Sequence, residues 1–115
     1  SSAPHFNYVG DSILGMGVNL GAGTKLSNFK NDGSMISVAV GQKTIPTGLR
    51  KFGAIVGDRV AVGCNCVTSP GTLIGPRSLL YANLLVRGAV AQDSIVKLRQ
   101  TQETVPRTGM PTNHD

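Results

Sequence analysis

The chain has 115 residues, a formal net charge of +5 with 15% charged residues, 4% aromatics, no Trp and 15 Gly. A second, nucleotide-binding domain does not fit in that length, and the scarcity of aromatics argues against a thick globular core. The positive charge is dispersed and lacks the interleaved aromatics of a nucleic-acid surface, no apolar run is long enough to span a membrane, and no His/Cys cluster suggests a metal, so the expected location is the cytoplasm with neither nucleic acid nor membrane as partner.

At the N-terminal end, PHFNYVGDS precedes a run in which Leu14, Leu20 and Leu26 recur every six residues. The same period returns at Val56, Val62, Thr68, Ile74, Leu80 and Val86, so eight of these nine positions are Leu, Val or Ile, types that make up 28 of the 115 residues. By chance about two of nine would match. Gly15, Gly21, Gly57, Gly63 and Gly75 each follow an aliphatic member of the series, and four residues after the aliphatic position come Val18, Thr24, Val60, Cys66, Thr72, Ser78, Leu84 and Val90.

A six-residue unit is a short strand plus a turn, and three units close a triangular coil of eighteen residues. Successive coils stack at roughly the strand spacing of about 4.8 Å, which predicts Val56 beside Ile74 and Val62 beside Leu80. Gly and Asn at the corners suit turns with positive φ. An antiparallel sandwich also uses short strands but has no reason to keep a period of six. The expected fold is therefore all-β, a parallel β-helix of about three coils. The period by itself does not fix the hand.

Between Asn28 and Gly53 the repeat stops, and this stretch is expected to be one long excursion loop (28–53) in which Gly41-Gln42 turns a short hairpin. Cys64 and Cys66 sit one residue apart, pointing to opposite faces of a strand, and are expected to be free thiols. After Val96 the hexads end, with Lys97 to Val105 expected as a short capping helix or tail. The β-helix domain is expected over 1–105 and a flexible tail over 106–115. The Gly21–Gly23 run is a repeat corner, not a nucleotide-binding fingerprint.

HFNYVGDS, VNLGAGT, SNF and KFGAIVGDRVAVGCN resemble the acetyltransferase domain of bifunctional sugar-1-phosphate nucleotidylyltransferase/acetyltransferases, of the glucosamine-1-phosphate acetyltransferase/N-acetylglucosamine-1-phosphate uridylyltransferase kind. The likeness is strongest to the archaeal-type members, whose loop carries a segment similar to GLRK here, and it extends over most of residues 4–100. The resemblance implies a left-handed helix, a homotrimer, acetyl-CoA as co-substrate and a phosphorylated amino sugar as acceptor. It implies His5 as the base that deprotonates the sugar amine, a role suited to imidazole near neutral pH. Tyr8 would help hold the sugar phosphate, Asn19 matches the asparagine of the NxGAGT motif as a further substrate-binding residue, and Asn28 would orient substrate and acetyl-CoA. Ala22, Cys64 and Ala82 match the small corner residues along which the pantetheine arm lies, with Lys97 or Arg99 meeting the coenzyme A phosphates.

Basic loop residues of the relatives are replaced by Ser34 and Ser37, which leaves Lys30, Lys43, Arg50 and Lys51 as substitutes, with Lys30, Arg50 and Lys51 the candidates for binding substrate. These departures keep open a reading as a non-catalytic, truncated hexapeptide-repeat module for trimerisation or ligand binding.

Overall fold

The computed structural model describes residues 6–109. Twelve strands of two residues each form the coil: β1 (Tyr8–Val9), β2 (Ile13–Leu14), β3 (Asn19–Leu20) and β4 (Lys25–Leu26) precede the excursion, whose hairpin strands are β5 (Ile36–Val40) and β6 (Lys43–Leu49). The coil resumes with β7 (Ile55–Val56), β8 (Ala61–Val62), β9 (Val67–Thr68), β10 (Leu73–Ile74), β11 (Leu79–Leu80), β12 (Leu85–Val86), β13 (Ala89–Val90) and β14 (Ile95–Val96). They build three parallel sheets: β1-β4-β9-β12 on face one, β2-β7-β10-β13 on face two and β3-β8-β11-β14 on face three. This is the all-strand, triangular architecture of the left-handed parallel β-helix. No described helix is long and apolar enough to cross a membrane.

The predicted stacking is present, with Val56 paired to Ile74 and Val62 to Leu80. Leu26 pairs with Thr68, forty-two positions on, because the excursion is inserted into one coil. The coil also extends past the regular hexads at both ends. Val9 precedes Leu14 by five residues and pairs with Leu26, while Val90 follows Val86 by only four and pairs with Ile74. Val90 thus occupies a strand position, not the post-turn position that the six-residue count assigns it. The tight corner at Arg87-Gly88, with Gly88 at φ 73°, removes the missing residues.

Two residues of each hexad face inward. The strand series Leu20, Leu26, Val56, Val62, Thr68, Ile74, Leu80 and Val86 is buried, and so is the post-turn series Val18, Thr24, Val60, Cys66, Thr72, Ser78 and Leu84. Small polar side chains recur in the second series because a turn carbonyl of the neighbouring coil needs a donor. Thr24 Oγ1 donates to Gly63 O at 3.2 Å, Cys66 Sγ to Tyr81 O at 3.1 Å and Ser78 Oγ to Ala91 O at 2.9 Å. Burial pushes the Cys66 thiol up, which keeps its proton available for that bond. Cys64 is exposed, and both cysteines are free thiols.

Glycines of the repeat serve two separate purposes. Left-handed corner residues recur three positions after the inward strand residue: Gly17, Gly23, Arg59, Asn65, Gly71, Arg77 and Asn83, with φ between 58° and 85°. Glycine directly after the strand answers to crowding: a Cβ on Gly63 would lie 2.6 Å from Ala82 N in the next coil. The arginines at two of the corners depart from the Gly/Asn expectation. Arg77 is held by a two-pronged pair with Asp93, Nε to Oδ1 at 2.6 Å and Nη2 to Oδ2 at 3.0 Å.

The excursion forms the expected antiparallel hairpin, with Val40 opposite Lys43 across the Gly41-Gln42 turn. Ile36 and Val38 are buried, and Ile36 Cγ2 reaches the corner at Gly71. Of the alternatives for Lys97 to Val105, the chain adopts the tail: residues 97–108 have no helical turn and 97–109 are exposed. Thr101, Thr104 and Val105 are β-branched and Pro106 follows, a poor composition for a helix with no apolar face to bury.

Candidate functional site

A turn between faces one and two carries the most developed polar cluster among the described residues. Gly10, Asp11 and Ser12 follow β1, and by strand register Asp11 stacks directly on Asn28, as Val9 does on Leu26. The Tyr8 hydroxyl donates to Asn28 Oδ1 at 3.1 Å, and Asn28 Nδ2 donates to Asp11 Oδ2 at 2.6 Å. Tyr8, on the outward side of β1, is half exposed. Gly10 is required beneath the cluster, since a Cβ there would lie 2.7 Å from both Asn28 Cγ and Tyr8 Cε2.

The rest of the NYVGDS segment fastens this turn. Asn7 Oδ1 accepts from Thr24 N at 2.8 Å while its Nδ2 donates to Leu20 O at 3.4 Å. Ser12 Oγ donates to Gly10 O at 2.8 Å and accepts from Ala54 N at 3.0 Å. Gly53 N donates to Asp11 O at 3.0 Å and Phe52 N to Asn28 O at 2.9 Å. The excursion consequently leaves and re-enters the coil against the same turn.

Three of the basic residues singled out by sequence, Lys30, Arg50 and Lys51, lie near the two ends of the excursion. Lys30 O accepts from Gly33 N at 2.9 Å, and Arg50 Nη1 donates to Gly33 O at 3.2 Å. Lys51 is exposed beside Phe52. Lys43 lies farther out, at the hairpin end of β6. Ser34 is already engaged: its hydroxyl and amide donate to Asp32 and hold that carboxyl below the usual range.

Asn19 is not part of this cluster. It projects from face three, in register with Ala61. The corner that follows it, between faces three and one, carries Ala22, Cys64 and Ala82 in a single column, tied by Asn65 N to Ala22 O at 2.8 Å and Asn83 N to Cys64 O at 2.9 Å. Lys97 follows directly below Tyr81, whose amide donates to Val96 O at 2.9 Å, so its exposed side chain stands at the lower end of that corner. Arg99 belongs to the exposed tail. The Ala22–Cys64–Ala82 column and the Tyr8–Asn28 cluster therefore occupy two different edges of one prism. His5 lies outside the described residues.

Asp11, Gly10 and Lys25 escape sequence reasoning. Lys25 sits one rung from Tyr8 on face one, with Nζ donating to Gly23 O at 2.8 Å. The available signal for the first two was the quoted GDS following Tyr8, and for Lys25 its outward place in the hexad.

No family model matches the chain. It is 38% identical over 98 residues to the bifunctional sugar-1-phosphate nucleotidylyltransferase/acetyltransferase of Sulfurisphaera tokodaii, covering 85% of this chain and 24% of that protein. It is 36% identical over 96 residues to the bifunctional protein GlmU of Methanococcus aeolicus, covering 84% and 23%. With GlmU of Methanococcus maripaludis the identity is 40% over 93 residues, covering 81% and 22%. The homologues are GlmU-type bifunctional sugar-1-phosphate nucleotidylyltransferase/acetyltransferases, and the chain spans about a quarter of their length.

Proposed function

We propose that this chain, a homologue of one part of those bifunctional proteins, is an acetyl-CoA-dependent N-acetyltransferase acting on an amino-sugar phosphate such as glucosamine-1-phosphate. The observation that carries the reading is the joining of Tyr8 to Asn28 in one hydrogen-bonded turn, two residues that the motifs single out twenty positions apart. Lys25 pairs in register with Tyr8 on face one, and Lys30, Arg50 and Lys51 lie near the two ends of the excursion, cations suited to a phosphate.

In this reading His5 takes a proton from the sugar amine as its nitrogen attacks the acetyl carbonyl. The nitrogen–carbon bond forms, the carbon–sulfur bond breaks, and coenzyme A leaves as its thiol. Ala22, Cys64 and Ala82 give the pantetheine arm a corner without bulky side chains, and Asn19, on the strand leading into that corner, orients the thioester. Lys97 and Arg99 meet the phosphates at the far end. The separation of the carrier column from Tyr8–Asn28 on one prism supports a homotrimer in which neighbouring copies complete each site. A cytoplasmic location follows from an intracellular co-substrate.

Release of free thiol from acetyl-CoA, dependent on glucosamine-1-phosphate or galactosamine-1-phosphate and lost in His5→Ala, is the expected result. No release above the His5→Ala background, together with no acetyl-CoA binding, overturns the reading. A trimeric mass that persists in that case favours the non-catalytic module, to which the occupied Ser34 in place of a loop cation already points.

A further inference from the structure

Face one carries opposite charge at its two upper corners. At the corner with face two stands the Asp11 carboxylate, whose Oδ2 accepts from Asn28 Nδ2 at 2.6 Å. At the corner with face three stands the Lys25 ammonium, which donates to Gly23 O at 2.8 Å. Tyr8 lies between them. It is the outward residue of β1, in register with Lys25 as the outward residue of β4, and both are exposed. Outward residues of adjacent rungs stand about 4.8 Å apart, so the two side chains share one patch of surface. A phosphate that meets Tyr8 is repelled from the Asp11 side of that patch and drawn to the Lys25 side.

The cations of the excursion are engaged or off the sheet. Arg50 Nη1 donates to Gly33 O at 3.2 Å. The Asp32 carboxyl is held low by its hydrogen bonds from Ser34 and, in smaller part, by the charge of Lys30, which it partly neutralises. Lys43 is at the hairpin turn, and Lys51 follows the end of β6. The tether of Lys25 is a single bond to a neutral carbonyl and leaves two ammonium protons over. A phosphate oxygen offers a charge-assisted bond, the stronger kind, and the flexible four-carbon stem lets the ammonium turn to it.

We propose that Lys25 is the cation that holds the phosphate of the acceptor sugar, on face one beside Tyr8, so that the prism and not the excursion supplies the charge selecting a phosphorylated substrate. The inference rests on the amino-sugar-phosphate reading above and names the residue that sets its specificity. Lys25 touches the phosphate and no reacting atom.

Calorimetric titration of the full chain with glucosamine-1-phosphate and with glucosamine reads this selection without turnover. The phosphorylated sugar is expected to bind more tightly, and Lys25→Gln to weaken it about tenfold, the scale of one charge-assisted hydrogen bond, with glucosamine binding and the denaturation midpoint unmoved. Lys25→Arg, which keeps the charge, is expected to restore most of the affinity. In kinetics, Lys25→Gln is expected to raise the KM for glucosamine-1-phosphate by the same factor and to leave the KM for acetyl-CoA where it was. The proposal is overturned by equal affinity of Lys25→Gln and the unaltered protein for the phosphorylated sugar, or by a loss in Arg50→Gln or Lys51→Gln as large as that in Lys25→Gln. An unaltered protein with no preference for the phosphorylated sugar overturns it as well. Lys25-dependent binding without release of thiol from acetyl-CoA sinks the acetyltransferase reading and leaves this inference standing. Thiol release that continues in Lys25→Gln at an unchanged KM does the reverse.

Discussion

The stretch from β7 to β12 and the turn that joins Tyr8 to Asn28 are built from the same backbone, yet their residues answer to different demands. In the regular stretch each side chain is dictated by its equivalent in the next coil: Val62 under Leu80, Gly63 against the Ala82 amide, Cys66 onto the Tyr81 carbonyl. In the upper turn the spacing from Val9 to Leu14 shortens to five, the excursion enters, and polar side chains bond to one another, not only to the backbone. The regular coils hold side-chain pairs, Ser69 with Thr72 and Arg77 with Asp93, but no described chain of three side chains. At the turn where the period breaks such a chain forms, and the coils below hold it in place.

The comparison breaks most severely in the regular coils. Leu80→Ala removes a fully buried side chain stacked between Val62 and Val96 and is expected to cost about 3 kcal/mol in denaturant unfolding, with the amino-sugar KM unchanged in the protein that stays folded. Gly10→Ala probes the other region. Its Cβ forces Asn28 and Tyr8 apart, so a smaller stability loss of about 2 kcal/mol should accompany a displaced Asn28 side-chain resonance and a raised amino-sugar KM. A Gly10→Ala protein with both readouts unaltered would remove the distinction between the regions.

Thr68→Val sharpens the comparison in the opposite direction. Thr68 is buried in the regular stretch and its hydroxyl is without a hydrogen-bond partner. An isosteric apolar side chain is expected to raise stability by about 1 kcal/mol, read as a higher denaturation midpoint. The smallest effect belongs to the exposed Arg77–Asp93 pair. Arg77 holds the Asp93 carboxyl below its usual value, so its contribution is present above the ordinary carboxylate range and is lost as pH falls through the lowered one. Asp93→Asn should flatten that acid limb slightly and leave the neutral midpoint almost unmoved.

The regular coils were legible in the sequence because stacking imposes the same requirement every six residues. Val62 and Leu80 could be paired from spacing alone. Where the chain shortens a corner, as at Arg87-Gly88, counting by six assigns Val90 to the post-turn series and not to the strand it occupies. The tail showed a similar limit: Lys97 to Val105 could be read as a helix cap, and the β-branched residues that oppose it carry only a weak local signal. In the upper turn, motif residues pointed to Tyr8 and Asn28, but Asp11 and Gly10 acquire their roles only when two turns seventeen residues apart are laid one on the other. Stacking distance, not local spacing, decides what such residues touch.

The neck of the excursion has a consequence for how this fold can vary. Phe52 returns to Asn28 and Ala54 to Ser12, so the chain rejoins the prism at the corner where it left, already in phase for β7. Ile36 and Ser37 pack on the Gly71 corner, but the tip of the hairpin, from Ala39 to Thr44, is uncoupled from the winding of the coils. That segment can be lengthened, shortened or exchanged as a cassette, and the cost is only the slowly growing entropy of closing a longer loop. Changes in what the molecule recognises can accumulate there without a single core residue having to find a new neighbour.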